Sequence, residues 1–60
     1  MDVKVKYSVF NGNFKLDMNI ALHNVTGESE SELESNIISR IAEIEKTNST
    51  NIKLLKVLPV

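Results

Sequence analysis

Two runs of strictly alternating residues, joined around Asn11-Gly12, constrain this chain more than any other feature. In residues 2–9, Val3, Val5, Tyr7 and Val9 point one way, and Asp2, Lys4, Lys6 and Ser8 point the other. Period two with β-branched residues on the apolar side is the pattern of a half-buried strand. In residues 14–22, Phe14, Leu16, Met18, Ile20 and Leu22 share one face, and Lys15, Asp17, Asn19 and Ala21 share the other. Asn-Gly between two such runs predicts a hairpin closed by a type I′ turn, which needs positive φ at both central residues. Asn tolerates that conformation, and Gly has no Cβ to resist it. The hairpin has one apolar side, and a two-stranded hairpin is marginal until something covers it.

The next segment supplies a cover. His23-Asn24-Val25-Thr26-Gly27 reads as a turn. Ser29 and Glu32 stand three apart, the spacing of a capping box, and Ser31 and Glu34 repeat it. A helix therefore starts at one serine or the other. Leu33, Ile37, Ile41 and Ile44, widened by Ile38, form one buried stripe, with Glu34, Ser35, Ser39, Arg40, Glu43 and Lys46 opposite. The helix stops in the polar run Lys46–Asn51.

Residues 52–58, Ile-Lys-Leu-Leu-Lys-Val-Leu, read as a third strand whose alternation breaks in the middle. Either a bulge at 54–56 resets the register, or both faces of the strand are covered. Pro59 ends the ladder. The expected fold is α+β: ββαβ, a three-stranded sheet with one amphipathic helix on one face, in a single domain spanning 1–60. A third strand beside the first and antiparallel to it gives order 2-1-3, which is preferred to 1-2-3.

Size then limits what such a fold can do. One core in a chain of 60 residues rarely supplies more than about 3–5 kcal/mol. There is no cysteine, so there is no disulfide, and no metal-ligand spacing surrounds the lone His23. Self-association is the remaining staple, and a homodimer is the expectation. The outer sheet face is where such an interface is expected, with Phe10, Ala21, Leu55 and Val57 as its candidate residues. No apolar run approaches the length of a membrane span. The alternating start does not resemble a secretory leader, so a cytoplasmic protein is expected. The sequons at Asn24 and Asn48 then carry no glycan.

Few residues suggest catalysis. His23 has no nucleophile or carboxylate near it in sequence, and a surface histidine at a strand end accounts for it. Glu28, Glu30, Glu32 and Glu34 crowd the predicted helix start, where the helix dipole favours negative charge. Neither glycine lies in a phosphate-binding motif, and there is no serine elbow. No catalytic residue, cofactor or metal ligand is assigned, and the chain is expected not to be an enzyme.

Lys4, Lys6, Lys15 and Lys53 form a candidate basic surface on the outer sheet face. RNA-binding sheets combine such charge with stacking aromatics, and Phe10 is the one aromatic placed to stack. The net charge of −1 argues against a general phosphate-backbone binder. Asn, Ile and Lys make up 19 of the 60 residues. Their A/T-rich codons point to an AT-rich bacterial or phage genome. The expected function is thus a small protein-binding module of phage or mobile-element accessory type, acting as a homo-oligomer. The alternatives are a nucleic-acid-binding module using the lysine face, or a structural subunit of a larger assembly.

Overall fold

The computed structural model describes all 60 residues. Its elements are β1 (Val3–Asn11), β2 (Phe14–Leu22), α1 (Glu30–Glu45), a single 3-10 turn (Ser49–Asn51) and β3 (Ile52–Pro59). The sheet order is β2-β1-β3, with β1 antiparallel to both neighbours and α1 on one face. The α+β reading and the 2-1-3 order are both present. No helix is long and apolar enough to cross a membrane.

The hairpin closes one residue later than the Asn-Gly signal predicts. Asn11 pairs with Phe14, so the two loop residues are Gly12 and Asn13. Only Gly12 has positive φ, +63°, which suits a type II′ turn with glycine at its first central position. Both turns keep the apolar residues on one face. The observed one also pairs all nine residues of β1 with all nine of β2, from Val3–Leu22 to Asn11–Phe14. A turn at Asn11-Gly12 would leave Ala21 and Leu22 beyond the end of β1.

The helix begins at Ser29, whose hydroxyl accepts the Glu32 N–H at 3.2 Å. The capping box is half made, because the reciprocal bond from Ser29 N–H to the Glu32 carboxylate is not formed. Glu30 and Glu32 lie in the positive first turn. The helix stops at Lys46, in the left-handed conformation, whose N–H reaches back to the Ala42 and Glu43 carbonyls. The linker from β2 to α1 is held at several points. Met1 and Val25 exchange main-chain hydrogen bonds, and Asn36 Nδ2 donates to the Thr26 carbonyl. Gly27 passes so close to α1 that a Cβ there would lie 2.6 Å from Leu33 backbone atoms.

Val3, Val5, Tyr7 and Val9 of β1 pack with Leu22, Val25, Ile37, Ile41, Ala42 and Ile52 in one core. Leu33, Ile38, Ile20, Leu54 and Val57 flank it. The predicted core is larger than this. Phe14, Leu16 and Met18 lie on the helix side of β2 but stay 74%, 59% and 38% exposed, and Ile44 stays 52% exposed. The reason is dimensional. A helix of 16 residues is about 24 Å long and about 10 Å wide. Each nine-residue hairpin strand runs about 30 Å. Lodged over β1 and β3, the helix leaves the turn half of β2 bare.

In β3 the bulge alternative is realised. Lys6 faces Lys56 and Tyr7 faces Leu54, so Leu55 is the extra residue. Ile52, Leu54 and Val57 therefore point to the helix, and Lys53, Lys56 and Leu58 point away. Covered and bare apolar residues should respond differently to truncation. Ile41→Ala is expected to lower unfolding stability by about 2–5 kcal/mol. In dilute solution Leu16→Ala should shift it by no more than about 0.5 kcal/mol. Urea denaturation followed by circular dichroism measures both, and equal losses would mean that α1 also covers the turn half of β2.

Candidate interaction surfaces

The outer sheet face is built by alternation along three strands. Reading across it, Ala21, Lys4 and Leu58 form one row, and Asn19, Lys6 and Lys56 the next. Asp17, Ser8 and Lys53 form the third row, and Lys15 stands beside Phe10 in the fourth. All four lysines of the candidate basic surface thus share this exposed face. Lys56 joins them because the bulge turns it outward. Five of the seven basic residues lie here against two carboxylates, Asp17 and, at the far end, Asp2, which pairs with His23. Ser8 is fully buried on this face, and its hydroxyl donates to Asp17 Oδ1 at 2.6 Å. A shallow depression of about 440 Å³ runs between Lys4, Lys6, Asn19, Ala21, Lys56 and Leu58.

The predicted interface quartet is not one patch. Phe10 and Ala21 lie on the outer face, at opposite ends of the hairpin. Val57 sits across from Val5 on the helix side and packs against the core. Leu55, the bulge residue, borders the groove between α1 and β3, with Glu30, Leu33, Glu34 and Ile37. The sequence pattern placed the break in β3 but not its consequence, since one extra residue inverts the facing of everything after it.

The helix face carries the opposite charge. Glu30, Glu32, Glu34, Glu43 and Glu45 all lie on α1. Glu45 has a second role, because its Oε1 accepts the Tyr7 hydroxyl at 3.3 Å, beside Met18 Sδ at 3.9 Å. Burial pushes the Tyr7 phenol above its ordinary range, and the Glu45 charge adds to the effect.

His23 has a partner that was not predicted. Its Nδ1 lies 3.1 Å from Asp2 Oδ2, and Asp2 Oδ1 accepts the Asn24 N–H at 3.1 Å. The His23 hydrogen bond, then the Asn24 N–H, hold the Asp2 carboxyl below its usual range. The register contained this pairing, since Val3 opposite Leu22 sets Asp2 opposite His23. The pair is exposed, and its hydrogen bonds run to each other and to backbone rather than to a hydroxyl nucleophile. No three His, Cys, Asp or Glu side chains are grouped to hold a metal ion.

The remaining surface is the β2 edge. β2 pairs only with β1, so its other side is an open ladder. Asn11 and Phe14 close the two-residue turn as a hydrogen-bonded pair, and bonding alternates from there. The N–H and C=O groups of Lys15, Asp17, Asn19 and Ala21 therefore face outward. Beside them lie the uncovered Phe14, Leu16 and Met18. An edge strand with unpaired main-chain groups and exposed apolar side chains is a template for pairing with another chain. Compared with protein-family models, curated proteins and solved structures, the chain matches none.

Tyr7 is the only tyrosine and there is no tryptophan, so phenolate absorbance reports on it alone. Its midpoint should lie above the ordinary value of about 10. A folded-state pKa above the unfolded value means stability that is complete below about pH 10 and lost as pH rises past it. Glu45→Gln should lower the midpoint only in part, because burial is the larger cause. An ordinary midpoint in the folded protein would contradict the buried placement.

Proposed function

We propose that this chain is a protein-binding module that works by strand addition at β2. The observation that carries the reading is the open β2 edge with three apolar side chains left bare on one side of it. In this mode main-chain hydrogen bonds give affinity, and alternate side chains give specificity. The outward groups of Lys15, Asp17, Asn19 and Ala21 supply the first. Phe14, Leu16 and Met18 supply the second. No catalytic constellation supports an enzymatic role in preference to this one.

A second reading has its own observation. Five lysines and the half-exposed Phe10 share the outer sheet face. Lysines two apart along a strand are about 7 Å apart, a spacing suited to successive phosphates of a single strand. That reading is a nucleic-acid-binding sheet.

One experiment separates the two. Tagged and untagged copies are expressed together in the native host and captured at low and high salt, with and without nuclease. Strand addition predicts a stoichiometric protein, either the untagged copy or another chain, that survives high salt and nuclease. Asn19→Pro, which removes an outward N–H and places a ring at the edge, should abolish its capture. Leu16→Lys, a change at an already exposed site, should do the same. Capture unaffected by both variants would overturn the reading. Bound nucleic acid would favour the second one, with each lost lysine–phosphate contact lowering the salt slope by about 0.7–0.9.

A further inference from the structure

We infer that the occupant of the β2 edge is a second copy of this chain, in an antiparallel pairing centred on Leu16. The inference rests on the strand-addition reading and names its partner and register. Two-fold registers within two residues of the middle of β2 centre on Leu16, Asp17, Met18, Asn19 or Ile20. Centring on Asn19 or Ile20 sets Leu16 or Met18 against Leu22, which is already buried. Centring on Asp17 sets Asp17 against Asp17 of the second copy, two like charges directly opposed. Centring on Met18 sets Phe14 against Leu22, which is already buried, and Lys15 against Ala21. Centring on Leu16 sets Lys15 opposite Asp17 and Asp17 opposite Lys15, two reciprocal ion pairs on the outer face. On the helix side it sets Phe14 opposite Met18 and Leu16 opposite Leu16. It is the one register that gathers the bare side chains of both copies and matches their charges.

The backbone suits this register. Lys15 and Asp17 both direct their N–H and C=O groups outward, so each Lys15–Asp17 couple is also a hydrogen-bonded ladder pair. Main-chain bonds and ion pairs then form at the same positions.

The helices fit as well. Arg40 donates to the His23 carbonyl just beyond β2, and Ile44 stands one turn further along the same side of α1. Glu45, bonded to Tyr7 beside Met18, sets this helix end level with Met18. Lodged over β1 and β3, each helix stops short of the seam, so the bare Phe14, Leu16 and Met18 of the two hairpins cover one another. The product is a closed six-stranded sheet dimer with β3 at both edges.

The test is a charge exchange read by sedimentation velocity on the full chain. The wild type should sediment as a dimer at micromolar concentrations. Lys15→Asp and Asp17→Lys should each raise the dimer dissociation constant by about tenfold or more, because like charges then face across the pair. Mixing the two variants should restore a dimer, since every facing pair is again opposite in sign. The double variant K15D/D17K should also dimerise alone. Lys15→Asp leaves the Ser8–Asp17 hydrogen bond in place, and circular dichroism confirms that each variant is folded. A monomeric wild type overturns the dimer. If such a monomer still captures another protein that Asn19→Pro loses, strand addition stands with a different occupant. A dimer indifferent to both charge reversals, or one that mixing fails to restore, overturns the register.

Discussion

The fold depends on Ile37 and Ile41 seating against Val3, Val5 and Tyr7 of the central strand. All five side chains are essentially removed from solvent. At about 25 cal/mol per Å² of apolar surface, this contact is the main favourable term available to so short a chain. The seating also fixes where the helix lies. α1 starts at the Val3 end, where Met1 and Val25 bind each other, and finishes where Glu45 meets Tyr7. From there the Asn48–Asn51 turn carries the chain to Ile52, opposite Val9. A helix committed to β1 and β3 in this way cannot also shield the turn half of β2.

Much of this architecture is legible in the residues. Alternation in 2–9 and 14–22 names two strands and their apolar faces, and the i, i+4 isoleucines name the helix and its buried side. The short return from the helix to a third strand, with the first strand needing both edges paired, names the strand order. Coverage is less legible. Periodicity shows that Phe14, Leu16 and Met18 share a face with Ile20 and Leu22, but not that a cover of finite length ends before reaching them. The same pattern marks core and bare surface, because both need apolar residues at alternate positions. The turn shows a similar ambiguity. Asn11-Gly12 and Gly12-Asn13 both close a hairpin with the same facing, and only the length of the paired ladder separates them.

The bulge at Leu55 shows how one residue moves a surface. The break in alternation at 54–55 was visible, and two explanations competed for it. In the realised one, Val57 leaves the outer face for the core and Lys56 takes a place among the lysines. The outer face thereby becomes more basic and less apolar than an unbroken reading suggests. The His23–Asp2 pair was equally within reach of the register, since the hairpin ladder extended by one step sets them opposite. Distance along the chain does not reveal it, because the two residues are far apart in sequence and meet only across the hairpin.

Charge segregation follows from the same geometry. A sheet with one buried face must place its strand lysines on the other, and the helix dipole draws glutamates to the start of α1. The result is a basic sheet face and an acidic helix face without any ligand being required. This weakens the lysines as evidence of a nucleic-acid site, because solvation and edge protection already account for them. The bare stripe on β2 has no such explanation. Polar residues at 14 and 16 would keep the strand alternating, would cost the core little, and would discourage aggregation. The proposed strand addition gives these apolar residues at an open edge a role, since it sets them against a partner's side chains.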